Sequence, residues 1–152
     1  MAEFGVNRNV QVVGASGTVT SQNLAAIGKA ADGFVTGVGY SPNIDSAENR
    51  KFVAEFEAVA KTKPDLYGAD SYGVLFFYKA AVEKARSVET DKLRDAMRGL
   101  QWATPQGLKT LRAGDHQAMQ DMYAVKVNNG QFEIVGKVAG ATAIGPDTCT
   151  KF

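Results

Sequence analysis

The residues of this chain whose types and spacing could do chemistry are few. Asp115 and His116 are adjacent, and a histidine beside a carboxylate can serve as a general base. It is the only histidine and has no metal-spaced partner, so the plain alternative is a loop histidine bonded to a neighbour. The single cysteine, Cys149, has no nearby histidine and cannot form an internal disulfide. It reads as an inert tail thiol or as one that pairs outside the chain. Gly14-Ala15-Ser16-Gly17-Thr18 lacks the spacing of a dinucleotide fingerprint, a P-loop or a nucleophile elbow. What it offers is a strand-to-helix turn with free backbone N–H groups and two neutral hydroxyls, from Ser16 and Thr18. Open α/β sheets receive ligands at such turns, although a plain small-residue turn fits equally well. Tyr67 and Tyr72 each suit either packing or stacking on a ligand in a cleft. Carboxylate pairs such as Glu55 with Glu57 and Asp91 with Asp95 fall on solvated helix faces. No nucleophile–base pair emerges, so the chain reads as a binder rather than an enzyme, with no cofactor and no metal.

These groups must be positioned by an alternation of strands and helices. Residues 10–13 read as a short strand entering the Gly14–Thr18 turn, and Thr20 or Ser21 can cap a helix through Leu24, Ala25, Ile27, Gly28 and Ala31. Residues 33–40 read as a second strand. Strand, helix, strand predicts a parallel βαβ unit. Ser46 then caps a helix that buries Phe52, Val53, Phe56 and Val59, and Pro64 stops it. A long helix is expected over about residues 70–87. Its first half is apolar nearly all round, which predicts that it is sandwiched between other elements. Thr90 is expected to cap a further helix to about Gly99, and residues 108–112 are weakly strand-like. Two alternating runs, 121–127 and 132–138, flank Asn129-Gly130, the strongest short-range hairpin signal. The order is that of an α/β chain closing on a β-hairpin.

Composition narrows the class. The chain has 152 residues, 45% hydrophobic and 22% charged, with formal net charge +1, enough for one domain with a core. Charges are interspersed, so no broad field attracts nucleic acid or an anionic membrane. No apolar run is long enough to span a bilayer, and the first residues lack the apolar region of a signal peptide.

Several short stretches, taken in order, resemble the C-terminal part of type I periplasmic solute-binding proteins of the branched-chain amino acid (Leu/Ile/Val-binding) ABC importer group. They are Gly14-Ala15-Ser16-Gly17, Ala31-Asp32-Gly33-Phe34, Tyr40-Ser41-Pro42, Asn49-Arg50-Lys51-Phe52, Pro64-Asp65, Ala69-Asp70-Ser71-Tyr72 and Asn129-Gly130-Gln131-Phe132. The resemblance covers about residues 5–138. It implies two α/β lobes, a ligand between them, and delivery to an ABC permease at the membrane surface from the periplasm or the extracellular space. Residues 1–40 would be a C-terminal-lobe βαβ segment, 41–116 a helical return to the N-terminal lobe, and 117–152 the final C-terminal-lobe strands and tail. Hinges are expected at 40–43 and 115–118. The resemblance places ligand contacts at Ser16, Gly17, Thr18 and Tyr72. Where amino-acid binders of the group often carry an acid, this chain has Ser16, which argues against a ligand with a buried ammonium. Related small polar or aromatic molecules become the expectation beside amino acids. The same fold also serves receptors and regulators, so a ligand-sensing domain is the rival reading.

Such proteins are usually more than twice as long. As a C-terminal fragment, the chain would leave Phe52, Phe56, Leu75, Phe76 and Phe77 uncovered, at about 1.5–3 kcal/mol for each large side chain. A domain-swapped homo-oligomer is one way to cover them.

Overall fold

The structure is a computed structural model that describes residues 4–6 and 9–148, so Cys149 lies outside the described residues. In chain order the elements are β1 (Val13–Gly14), α1 (Leu24–Ile27) prolonged by a 3-10 turn (Gly28–Ala31), β2 (Val35–Val38), α2 (Ala47–Ala60), α3 (Leu66–Ala85), α4 (Thr90–Met97), β3 (Gln101–Thr104), β4 (Gly107–Leu111), β5 (Ala118–Met119), β6 (Met122–Asn128), β7 (Gln131–Val138) and α5 (Gly140–Ile144).

Two sheets organise them. The first has the order β1-β2-β6-β7 and the second β3-β4-β5. β1 and β2 are parallel, with Val13 opposite Val35, as a βαβ unit requires. β6 lies antiparallel to β2, and β7 antiparallel to β6. The Asn129-Gly130 loop closes the last hairpin with both residues at positive φ (48° and 71°), as a type I′ turn demands. β1 is shorter than the expected 10–13, although the Val35 N–H still donates to the Val12 carbonyl at 3.0 Å.

Ser46 caps α2 as expected, its hydroxyl accepting from the Asn49 N–H at 3.0 Å. α2 stops at Lys61, which turns into the left-handed region at φ 58°, three residues before Pro64. Of the expected inward residues Phe52 is buried, but Val59 is 85% exposed. α3 begins four residues earlier than expected. Asp65, not a residue near Asp70, is its cap, accepting from the Gly68 N–H at 3.0 Å. α4 starts at Thr90 itself, with Glu89 in the N-cap position and no side-chain cap bond.

The expected sandwiching of α3 does not occur. Ala69, Gly73 and Ala81 are its buried residues, while Leu75 is 69% and Phe76 44% exposed. Small residues let the helix backbone approach β3, with Thr104 so close that a Cβ at Gly73 would meet its Cγ2 at 3.3 Å. An all-round apolar helix carries no moment to choose a face, and close approach of the small stripe decided it. The uncovered set is also narrower than expected. Phe52 packs with Val38, Tyr123 and Val125 of the first sheet and with Tyr40 just beyond β2, with Phe56 and Tyr72 against that cluster. Phe77 stacks on Trp102 of β3 at 4.7 Å between centroids. Leu75 and Phe76 remain exposed.

β3 was not expected. It pairs with β4 around Pro105-Gln106, and both turn residues are buried. Beneath them the Lys109 ammonium, on a buried side chain, bonds Asp70 of α3 at 3.0 Å, and the Gln106 amide bonds the same oxygen at 2.7 Å. β5 pairs with β4, so the second sheet extends past residue 117. After β7 the chain leaves the first sheet again: α5 lies against β5, and the Arg112 guanidinium donates to the Gly145 carbonyl at 2.7 Å.

Candidate functional site

The turn after β1 is held open by its own sequence. The Thr18 N–H donates to the Ala15 carbonyl at 3.2 Å, and Gly17 takes φ +84°, a value that favours glycine. Ser16 and Thr18 are exposed. Gly14 sits on the Phe34 ring, where a Cβ would fall 2.5 Å from Cζ, so only glycine lets β1 lie this low on the core.

Facing the turn is the N-terminus of α3. A Cβ at Gly17 would lie 2.9 Å from the Tyr67 hydroxyl and 3.8 Å from Leu66 Cδ2. The Tyr67 hydroxyl therefore lies close against the middle of the ledge formed by Ser16, Gly17 and Thr18, with no room for a side chain between them, while Tyr67 as a whole is 61% exposed. Tyr72 is placed elsewhere. Its ring packs on Phe52 at 4.7 Å and Phe76 at 4.8 Å, and it lines a groove with Glu48, Lys51, Thr104 and Pro105. Of the residues expected at the site, the structure groups Ser16, Gly17 and Thr18 and sets Tyr72 apart. The sequence leaves Tyr67 open between packing and ligand stacking, and the signal that points to it is Asp65. An N-cap there puts Tyr67 in the first turn of the helix, at the edge of the sheet-facing end.

Below the ledge the two halves of the chain meet around a cavity of about 30 Å³, room for water but not for a ligand. Its lining includes Thr20, Tyr40, Asp65, Leu66 and Phe132. Burial first, and the Asp65 carboxylate second, push the Tyr40 hydroxyl well above the ordinary tyrosine range. Tyr40 thus stays neutral and donates to Asn49 Oδ1 at 3.0 Å. On the outer rim Gln22 donates to the Lys63 carbonyl at 3.1 Å.

The Asp115 carboxylate is engaged by its chain neighbours. Its oxygens are taken by the Arg112 guanidinium, with Nε at 2.8 Å and Nη2 closer, and by the Gln117 N–H at 3.0 Å. The Arg112 hydrogen bond holds the Asp115 pKa down at about 2. Among the described residues no group of His, Cys, Asp and Glu is arranged to hold a metal ion.

Residues 1–131 match the family described as periplasmic binding protein. A curated relative, the Leu/Ile/Val-binding protein homolog 6 of Brucella abortus (strain 2308), is 28% identical over 117 residues, covering 74% of this chain and 30% of the relative. Among solved structures, the solute-binding protein of an ABC transporter from Rhodopseudomonas palustris BisB5, in complex with 3,4-dihydroxybenzoic acid, superposes with a TM-score of 0.83 at 27% identity. That match covers 91% of this chain and 40% of the other. A second R. palustris solute-binding protein, in complex with benzoate, gives 0.78 at 28% identity, covering 90% and 38%. The chain thus spans well under half the length of these relatives. The fold is that of the type I periplasmic binding proteins, and the chain belongs to the periplasmic binding protein family.

Proposed function

We propose that this chain supplies one wall and part of the opposite wall of the ligand cleft in the solute-binding component of an ABC importer. The reading rests on one observation, the ledge of Ser16, Gly17 and Thr18 at the end of β1 with Tyr67 of α3 set so close against it that a Cβ at Gly17 would stand 2.9 Å from the Tyr67 hydroxyl. The lobes are proposed to follow the two sheets. Residues 1–40 with β6 and β7 form one, and the helices with β3, β4 and β5 contribute to the other. In the whole protein, ligand closes the cleft by binding the closed state more tightly. Location in the periplasm or outside the cell, and docking on a membrane permease, belong to the same proposal.

The ligand we infer is a small carboxylic acid with an aromatic or apolar body. Ser16 and Thr18 supply hydroxyls and no charge, so an ammonium would enter this wall unpaired. Tyr67 offers a ring face and a hydroxyl, which suit stacking on an aromatic acid. Ligands of that kind occupy two of the R. palustris relatives. Tyr72 is the less supported contact, because its ring is already engaged by Phe52 and Phe76.

Calorimetric titration of the full-length protein with benzoate, 3,4-dihydroxybenzoate, leucine and a small amide tests this. Binding of the aromatic acids in preference to leucine is expected, with Tyr67→Ala weakening it about tenfold or more and Tyr72→Phe changing it little. No binding across the panel would overturn the transport reading, and a preference for leucine would overturn the ligand class. The exposed α3 face at Leu75 and Phe76 is proposed to be covered either by the rest of the protein or by a swapped copy.

A further inference from the structure

Three passages of the described chain run between the two sheets, at residues 39–46, 120–121 and 139–140, and they meet at one residue, Gln120, the first at its side chain and the third at its backbone. Gln120 Nε2 donates to the Gly39 carbonyl at 3.3 Å. A Cβ at Gly39 would stand 2.0 Å from that same nitrogen. On the other side, a Cβ at Gly140 would stand 2.7 Å from the Gln120 carbonyl oxygen and 3.0 Å from its backbone nitrogen. The Gly140 N–H is tied to the Asp121 carboxylate at 3.1 Å, and Asp121 is paired with Lys137 at 2.6 Å. Neither Gly39 nor Gly140 has a positive φ, so glycine is there for room and not for backbone freedom.

The chain just beyond Gly39 is tied to α2 through one side chain. The fully buried Asn49 carboxamide accepts from Tyr40 and donates to the carbonyls of Pro42 at 3.0 Å and Ile44 at 2.8 Å. These bonds tie residues 40–44 to α2, and Gly39 is the residue just before the tied stretch. We propose that Gln120 is a positioning residue, the pin about which the two halves turn, with Gly39 and Gly140 leaving it room on either side. The expected hinge at 40–43 shifts to Gly39, and that at 115–118 to Gln120. Gln120 acts on the ledge and Tyr67 only through this pivot, so its importance for transport rests on the cleft reading above.

The test reads the pivot without a ligand. Spin labels at Lys29→Cys and Glu55→Cys, one in each half, report the distance between halves in the full-length protein carrying Cys149→Ser. Gln120→Ala removes one hydrogen bond and is expected to raise the population of open, longer distances about two- to tenfold. Gly39→Ala should do the same, because the new methyl pushes the flexible Gln120 amide off the Gly39 carbonyl. The double variant should match either single one. Gly140→Ala meets backbone instead, so it should shift the distance in the presence or absence of the Gln120 side chain. If Gly140→Ala fails to fold, the Gly39 and Gln120 cycle carries the test alone. Additive effects of Gly39→Ala and Gln120→Ala, or distances unchanged by both, would overturn the pivot. Failure of every ligand in calorimetry would overturn the transport reading and leave this result standing.

Discussion

Asn49→Ala should be among the most damaging single substitutions in this chain, although it touches neither a ligand nor a large hydrophobic contact. Asn49 is 0% exposed, and its side chain satisfies Tyr40 Oη, the Pro42 carbonyl and the Ile44 carbonyl. Alanine removes all three bonds at once. A buried polar group left without a partner costs about 1–3 kcal/mol. Counting only the buried Tyr40 and Ile44 gives a loss of about 2–6 kcal/mol, against a total stability of about 5–15 kcal/mol for an ordinary domain. The Ser46 cap survives, because it uses the Asn49 backbone N–H. Urea unfolding should therefore show a lower midpoint with an unchanged slope. Tyr40→Phe alone should cost about 1 kcal/mol, and close to nothing once Asn49 is alanine, because the bond is already gone. Asn49→Asp tests the chemistry further. It puts a carboxylate against two carbonyl oxygens, so its folded pKa must be raised above the unfolded value. Its penalty is then full at neutral pH and shrinks as pH falls through the folded pKa, opposite in sign to a salt-bridged aspartate. An Asn49→Ala variant within about 0.5 kcal/mol of the parent would refute the reasoning, because a difference that small is what a surface substitution produces.

Asp115 behaves in the ordinary direction. With its pKa lowered from 3.8 to about 2 by Arg112, its contribution is present above about pH 4 and lost as pH falls toward 2. A carboxyl NMR titration should place its midpoint near 2, and Arg112→Ala should return it to the usual aspartate range. Asp70→Ala strands the buried Lys109 ammonium and should cost about 1–3 kcal/mol by urea unfolding, less than a fully buried pair because Asp70 is 53% exposed. Adding Lys109→Met should recover much of that loss, and equal stability of the single and double variants would count against the pairing. Gly17→Ala forces a side chain to φ +84° and crowds Tyr67, so about 1 kcal/mol of stability should be lost together with ligand affinity. Unchanged affinity would separate the ledge from binding.

Much of the fold was legible because its signals are local. Asn129-Gly130 needs two positive φ values and fits one hairpin turn. Ser46 acts within one helical turn. The parallel β1 and β2 follow from a strand, a helix and a strand in quick succession. What failed to show were contacts made at long range. β3 is only four residues and half exposed, and its partner β4 supplies the reason it is a strand. The face that α3 buries was unreadable because its residues are apolar on every side, and steric approach to Thr104, not hydrophobicity, selects the small stripe.

The site divides in the same way. The sequence by itself determined the ledge, since glycines and short hydroxyl residues at a strand end can only make a permissive turn. It also raised the expectation, carried into the proposed function, that no ammonium is paired at this turn, because Ser16 brings no counter-ion. Only the tertiary structure decided which tyrosine faces that ledge. Tyr67 and Tyr72 lie five positions apart on one helix and so point in different directions. An N-cap at Asp65 sets the phase of the helix, and the aromatic neighbours Phe52 and Phe76 draw Tyr72 away. The proposed pivot was only approached from the sequence, whose family resemblance implies hinges at 40–43 and 115–118 but not the residues that meet. Gly39, Gln120 and Gly140 are each unremarkable in the chain, and their meeting depends on sheets that close over about a hundred residues.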